Sequence, residues 1–429
     1  MTRMKDSGIK WIGQIPEEWG ITKIKFTTQL NGRIGWQGLT SAEYKEEGPY
    51  LITGTDFLDG KINFETAVHI DEKRWFEARQ IQVENGDLLI TKDGTVGKVA
   101  IIEGLNEKAS LNSGVLRIQT TENISRRFLF YVLKSDVFWL WFNYTNSGAS
   151  TILHLYQNVF DEFSFTFPNI SEQTQIADFL DKKVAQLDKV KSLLEEQIKT
   201  LEGYRQSLIY ETVTKGLDKT VPLKASGIDW IGQIPEGWNV DRLGFHIYEI
   251  NEKNIPQKSD FILSLTNKDG VIPYEDKGNQ GNNSKDNLLD YKLAYPDTIV
   301  ANSMNILIGS VGYSNYFGCI SPVYYVFKER KGTNLRFVNY IMAIQLFQKE
   351  LRKYANGILE IRLRVSSEDI LKRFCAFPSL SDQDKIVTYL DKRTNQINQM
   401  ISIKKEQIEN INKQRQTLIY DYVTGKRRI

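Results

Sequence analysis

The chain is written twice, and this limits what it can fold into more than any single motif does. SGIKWIGQIPEEW (Ser7–Trp19) returns as SGIDWIGQIPEGW (Ser226–Trp238), identical at eleven of thirteen positions and displaced by 219 residues. FPNISEQTQIADFLDKK from Phe167 returns as FPSLSDQDKIVTYLDKR from Phe377, displaced by 210. That spacing holds through RQSLIYETVTKG (from Arg205) and RQTLIYDYVTGK (from Arg415). Self-similarity of this kind marks a duplicated structural unit. Between the matching ends, residues about 24–166 and 243–376 share little beyond scattered positions such as Asp87 with Asp297 or Phe165 with Cys375. Constant ends around variable middles describe one frame carrying two different readers.

The frame reads as two long helices. From Glu172 to Thr214 there is no proline and only one glycine, Gly203. Ser171 and Ser381 are the N-cap candidates. Ala177, Leu180, Val184, Leu187, Lys191, Leu194, Ile198, Leu201, Arg205 and Leu208 fall on one seam at alternating spacings of three and four. So do Val387, Leu390, Thr394, Ile397, Ile401, Lys404, Ile408, Ile411, Arg415 and Leu418. A narrow, sustained apolar stripe of that period is a coiled-coil signature. A compact block between two such helices returns the chain close to where it entered. The expected arrangement is therefore an antiparallel pair, a rod with one head at each end and a pseudo-two-fold axis between them.

The variable blocks are β-rich. Gly86–Ile102 carries two apolar runs around a glycine turn, and Asp297–Phe327 is a longer, more aromatic version. Arg126–Phe142 and Leu335–Tyr354 read as helical. The expected fold class is α+β: two α/β domains joined by two long antiparallel coiled-coil helices, with an internal pseudo-two-fold repeat. The expected boundaries are 1–170 for the first domain and 171–215 for the first helix. A linker with the second repeated segment covers 216–238, the second domain 239–380, and the second helix and basic tail 381–429.

Composition excludes several functions. The 429 residues hold 55 Lys+Arg against 53 Asp+Glu, a net +2, so binding to nucleic acid through bulk charge is excluded while a local basic groove is not. Two cysteines, Cys319 and Cys375, and three scattered histidines, His69, His154 and His246, leave no disulfide framework or zinc set. The expected metal set is none. The reducing cytoplasm is the expected compartment, because no apolar signal core or span of about 20 apolar residues is visible. There is no Pro-Pro for an adenine methyltransferase loop. DGTVGK (Asp93–Lys98) has two residues between its glycines where a phosphate loop needs four, and Val99 where it needs Ser or Thr. Pro296-Asp297 ahead of Glu329-Arg330-Lys331 resembles a metal-nuclease PD…ExK pattern. The expected loop placement of KERKGT argues against it, as do Gln119 and Thr121 at the equivalent places in the first copy. No catalytic residue is expected.

Recognition remains. Amides, hydroxyls and cations gather around likely turns. In the first block these are Arg33, Trp36, Thr91, Lys92, Thr95, Lys98, Asn112, Ser113, Asn146, Ser147 and Thr151. In the second they are Asn267, Lys268, Asn302, Ser303, Asn305, Asn356, Arg362 and Arg364. Asn pairs bidentately with adenine and Arg with guanine, while Lys and glycine-turn amides suit phosphates.

SGIxWIGQIPExW, and the helix beginning SEQ…IADFLDKK and ending YRQSLIYExVTKG, resemble the specificity subunit of type I restriction–modification systems. Both motifs occur twice, so the resemblance covers essentially the whole chain. It implies a subunit without catalysis of its own, whose variable blocks each read one half of an asymmetric bipartite duplex target and whose helices set the gap. It implies docking of two modification subunits that methylate adenine N6, and of two restriction subunits. S-adenosylmethionine, ATP and Mg²⁺ are then expected on those partners and not on this chain. The competing readings are a duplicated stand-alone DNA-binding or scaffold protein, and the PD…ExK nuclease.

Overall fold

The structure, a computed structural model, describes residues 3–33, 39–146, 153–267, 269–278, 287–357 and 363–429. It divides into two units, Met1–Leu194 with Glu406–Ile429, and Glu195–Lys405. Two long helices contribute to both: Ile170–Lys215, 46 residues, and Leu380–Val423, 44 residues. Their caps differ from expectation. Asn169 Oδ1 accepts from Glu172 N at 2.9 Å and Ser379 Oγ from Asp382 N at 3.2 Å. Ser171 and Ser381 lie inside the first turn. The cap is the residue directly after Pro168 or Pro378, because Ile170 and Leu380 accept helical backbone and the serines need not start it.

Within the first unit the second helix's residues 406–423 run antiparallel to the start of the first. The Phe179 and Tyr422 rings lie 4.5 Å apart, and Arg415 Nη1 donates to Asp188 Oδ1 at 2.8 Å. Within the second unit Lys404 Nζ donates to Gln197 Oε1 and Arg205 Nη1 to Asn398 Oδ1, both at 2.6 Å. In each unit one helix advances as the other retreats. In the first unit's pair Leu180 is buried, and Leu187, Leu194, Ile408, Ile411 and Leu418 are half-buried. In the second unit's pair Leu390, Ile397 and Ile401 are buried, and Ile198, Leu201 and Leu208 half-buried. Most neighbours outside this stripe are exposed.

The repeated SGIxWIGQIPExW segment seats a helix end. Ile12, Ile15 and Trp19 join Ile419, Tyr422 and Val423 in the first core; Trp230, Ile231, Ile234 and Trp238 join Ile209 and Val213 in the second. Tyr420 OH donates to Trp11 O at 3.0 Å, and Tyr210 OH to Ile231 O at 3.0 Å. Each seat therefore receives the end of the other copy's helix in one unit and of the preceding helix in the other. Burial of such large apolar groups, each worth roughly 1.5–3 kcal/mol, fixes the helix ends.

The unmatched blocks share one four-stranded sheet order. In the first unit β1 (Gly20–Lys23) leads to β2 (Thr28–Gly32), β3 (Leu88–Thr91), β4 (Val99–Ile101) and β5 (Val115–Thr120), with β6 (Ser164–Phe167) returning to β1. The antiparallel sheet order is β4-β3-β5-β2. In the second unit β7 (Asn239–Arg242) leads to β8 (Ile247–Ile250), β9 (Leu263–Thr266), β10 (Gly270–Pro273), β11 (Thr298–Asn302), β12 (Val311–Ser314) and β13 (Tyr324–Glu329), with β14 (Phe374–Phe377) returning to β7. Its order, β12-β11-β13-β8, is the same one. The expected helical stretches are each broken in two: α1 (Arg126–Lys134) and α2 (Asp136–Thr145), then α3 (Leu335–Met342) and α4 (Gln345–Arg352). The break at Ser135 is a cap, extended in backbone, with Oγ accepting from Val137 N at 3.3 Å. No described helix is long and apolar enough to cross a membrane.

Candidate nucleic-acid interface

In the first unit, four loops meet beyond the ends of β3 and β5. Thr91 is fully buried and closes the 91–98 loop: its hydroxyl donates to Thr95 O and accepts from Lys98 N at 2.9 Å. Gly97, at φ +82°, lies where an added Cβ would come within 2.9 Å of Phe138 and Trp139, so only glycine fits. Lys92 N donates to Gly114 O at 2.8 Å, and Lys92 O accepts from Leu155 N at 2.9 Å. Lys98 Nζ reaches Gly54 O at 3.3 Å. Asp56, buried, holds the 53–56 loop by accepting from Thr53 N at 2.7 Å and Thr53 Oγ1 at 2.9 Å. His154 Nδ1 pairs with the Asp93 carboxylate, and its ring lies 4.3 Å from that of the exposed Tyr156. Lys92 is half-buried; Thr95, Lys98 and Ser113 are exposed around these loops. Asn112, half-buried, orders its own turn by accepting from Ser113 Oγ at 2.8 Å.

The second unit gathers its loops at the same end of the same sheet. Asn302 N donates to Ser310 O and Ser310 N to Asn305 O, at 3.0 and 3.1 Å, closing the loop after β11. Asn267 Nδ2, from the β9–β10 turn, donates to Ile308 O at 3.3 Å. Asn356 and Arg364 pair through their backbones at 2.8 and 2.9 Å, Val365 N donates to Ser303 O at 3.1 Å, and Arg364 Nη2 lies 3.7 Å from Met304 Sδ. Asn267, Asn305, Asn356 and Arg364 are exposed together there.

Several expected contact residues are used differently. Arg33 is only 6% exposed, with Nε donating to Leu111 O at 2.9 Å and Nη2 to Ser110 Oγ at 3.3 Å. Burial brings its guanidinium pKa down to about 10, and it braces the loop from within. Thr91, Asn302 and Ser303 are buried, and Asn302 Oδ1 accepts from Met304 N at 3.0 Å. These four side chains shape the loops instead of projecting from them, because a turn this tight recruits its nearest polar groups to satisfy its own backbone. Asn146 closes α2, with Nδ2 donating to Phe142 O at 2.8 Å. Trp36, Ser147, Thr151, Lys268 and Arg362 lie outside the described residues.

The nuclease-like residues sit elsewhere. Glu329 ends strand β13, which corrects its expected loop placement: the β-branched and aromatic run Tyr324–Phe327 carries the strand through to it. The strand register places Asp297 beside it, at the sheet end opposite Asn302. The Asp297 carboxylate accepts from Tyr313 OH, and Lys331 follows in a turn. Burial, together with Asp297, pushes the Tyr313 phenol up to about 12. Among the described residues no three His, Cys, Asp or Glu are grouped to hold a metal ion.

The sequence reading missed a pair of clamps. Tyr131 OH donates to Asp181 Oδ1 at 2.6 Å, and Arg127 pairs with Asp178 and Asp181. Tyr340 OH donates to Asp391 Oδ1 at 2.7 Å, and Arg336 pairs with Asp391 at 2.8 Å. Burial and the adjacent carboxylate raise both phenols above the usual tyrosine range. The signal was present as Arg-Phe-x-x-Tyr at 127–131 and 336–340, inside the blocks set aside as unmatched. The buried amides of Gln173 and Gln383 repeat a second tie, accepting from Ser125 N at 2.7 Å and Asn334 N at 2.8 Å. In each unit α1 or α3 is thus fixed to a long helix.

Comparison with known proteins adds the following. Residues 39–201 match the model of the type I restriction modification DNA specificity domain. A candidate MjaX type I restriction enzyme specificity subunit of Methanocaldococcus jannaschii is 25% identical over 97% of this chain and 96% of its own length. The MjaVIII type I restriction enzyme specificity subunit of the same organism is 24% identical over 97% and 94%. A solved structure concerning complex assembly and conformational transition of the type I R-M system superposes at a TM-score of 0.69, with 16% identity, over 96% of this chain and 99% of that one. At that identity it speaks to the fold.

Proposed function

We propose that the chain is a specificity subunit of a type I restriction–modification system, and that each unit reads one half of an asymmetric bipartite DNA target. The observation that carries this is the pairing of one sheet with two different loop sets at its same end. A shared sheet order holds the loops at equivalent places, and unlike side chains there select unlike base pairs. In the first unit Lys92, Thr95, Lys98 and Ser113 are the proposed contacts; in the second, Asn267, Asn305, Asn356 and Arg364.

The long helices set the gap between the half-sites. At 1.5 Å per residue a helix of 46 residues extends about 69 Å. The helices also dock two modification subunits. Val190 and Leu193 in the first unit, and Met400 and Ile403 in the second, are exposed apolar residues 210 positions apart. They form a short outer stripe at three-residue spacing, opposite in use to the buried seam, and a helix of a partner covers such a stripe well. The chain itself contributes no catalytic group. S-adenosylmethionine belongs to the modification subunits, and ATP and Mg²⁺ to the restriction subunits that join them.

Sequencing of methylated adenines in a host expressing this chain with its modification subunit tests the reading. The expected result is one motif of two unlike halves with a fixed gap. Methylation at a continuous or a symmetric motif would overturn it.

A further inference from the structure

Within blocks that otherwise hardly match, Lys23-Ile24-Lys25-Phe26 and Arg242-Leu243-Gly244-Phe245 stand 219 residues apart. The turns they form, α-helical at Ile24–Thr27 and 3-10 at Leu243–Phe245, are anchored alike in the two units: Ile24 N donates to Phe163 O at 3.0 Å and Leu243 N to Arg373 O at 2.8 Å, and Ile24 and Leu243 are wholly buried. That packing accounts for the aliphatic residue. It does not account for Phe26 and Phe245, which are 69% and 68% exposed, or for the cation three residues before each. A single exposed aromatic needs no explanation. The same one left in water at the same place in two dissimilar blocks does.

We propose that Phe26 and Phe245 are twin anchors for the modification subunit, each ring entering an apolar pocket rimmed by carboxylates on one copy of it. The inference rests on the docking reading above and names its contact residues. Three observations carry it. First, on the reading above the two DNA half-sites differ between the units whereas a partner bound twice does not, so an exposed phenylalanine repeated in both units suits the partner. Second, the rings lie away from the proposed DNA loops. Phe26 precedes β2 at the end where Thr28 pairs with Thr120, whereas Gly32 pairs with Leu116 beside the 112–114 loop. Phe245 precedes β8 where Ile247 pairs with Glu329, whereas Asn302 pairs with Tyr324 at the far end. Third, the charge around the rings calls for carboxylates. Lys25 Nζ lies 5.2 Å from the Phe26 ring, and Lys23 and Lys25 both bind the exposed Glu162, at 2.7 and 2.5 Å. The first unit thus already displays the group that fits there. In the second, position 372 holds lysine where the repeat places Glu162, and it pairs with Glu368 at 2.6 Å; Arg330 Nε donates to Gly244 O at 3.1 Å with its guanidinium over Tyr248, and those of Arg242 and Arg373 lie over Phe374 and Tyr354. A buried aromatic with a cationic rim is the composition that dominates protein interface energies.

Native mass spectrometry of the chain co-expressed with its modification subunit tests this. Wild type should carry two modification subunits, Phe26→Ala one, Phe245→Ala one and the double variant none, with each site weakened about tenfold or more. Lys23→Glu and Arg242→Glu should act in the same direction. Because both rings lie outside the cores, thermal melts of the free variants should match wild type, which separates docking from misfolding. A folded double variant that retains two modification subunits would overturn the proposal. So would one that retains both but binds its target duplex more weakly, since the rings would then be DNA contacts. Wild-type chain that captures no modification subunit would sink the docking reading itself, a result distinguishable from failure of the phenylalanines alone.

Discussion

The two units share a sheet order, a Tyr–Asp clamp, a buried glutamine tie and a seat for a helix end, and differ in the strands beside that sheet and in the loops at one end of it. In the first, the 91–98 loop is drawn tight around Thr91 and presents lysines beside a His154–Asp93 pair. In the second, the 302–310 loop is built on buried Asn302 and Ser303 and presents Asn305, beside Asn267, Asn356 and Arg364 from neighbouring segments. The part that must be equal is encoded in few positions, and the part that must differ is left free to vary.

That comparison can be broken at several points. The largest effect is expected at the helix seats. Trp19 is 1% exposed and donates its indole N–H to Glu172 Oε2 at 3.0 Å, so Trp19→Ala should cost about 3–5 kcal/mol in urea unfolding. Trp238, 9% exposed, should cost less; equal losses would mean that the seats are not graded by burial. Next come the loops. Asn305→Ala should relax selectivity at one position of one half-site by about 1–3 kcal/mol and leave the other half untouched, measured by competition among variant duplexes. Lys98→Ala should weaken all sequences alike and reduce the salt slope by about one. Loss of selectivity with Lys98→Ala, or uniform weakening with Asn305→Ala, would reverse these roles.

A smaller effect concerns pH. His246 packs 3.4 Å from the Phe377 ring between Thr333 and Asp241, and burial holds its pKa below the ordinary 6.5 despite the carboxylate. The folded second unit therefore prefers the neutral imidazole. Its contribution is present above pH 6.5 and is lost as pH falls towards the folded pKa. The first unit carries buried Thr27 at the equivalent place. Amide exchange from pH 7.5 to 5.5 should show the second unit loosening first, and His246→Thr should abolish the difference. Smallest of all, Tyr131→Phe and Tyr340→Phe should each cost about 1 kcal/mol, equally in the two units.

The frame was legible in the sequence because helix periodicity and a thirteen-residue repeat leave few alternatives: the apolar seam from Ala177 to Leu208 follows directly from spacing. The loops were legible as places but not as roles. Arg33 and Thr91 have the chemistry of DNA contacts, and the loop takes both inward to satisfy Leu111 O, Ser110 and its own amides. Which of two equal donors faces water is decided by packing that spacing does not encode. The Arg-Phe-x-x-Tyr clamps were overlooked for a different reason: three residues in a stretch of five fall below what an unaligned comparison of divergent blocks detects, although the geometry they impose is shared.

The most direct test replaces residues 243–376 with a second copy of residues 24–166 and sequences the methylated adenines in a host that also makes the modification subunit. If each block reads its own half on a common frame, the target becomes the first half-site twice, with the gap unchanged. A target that keeps its original second half, or changes in both halves, would contradict that account.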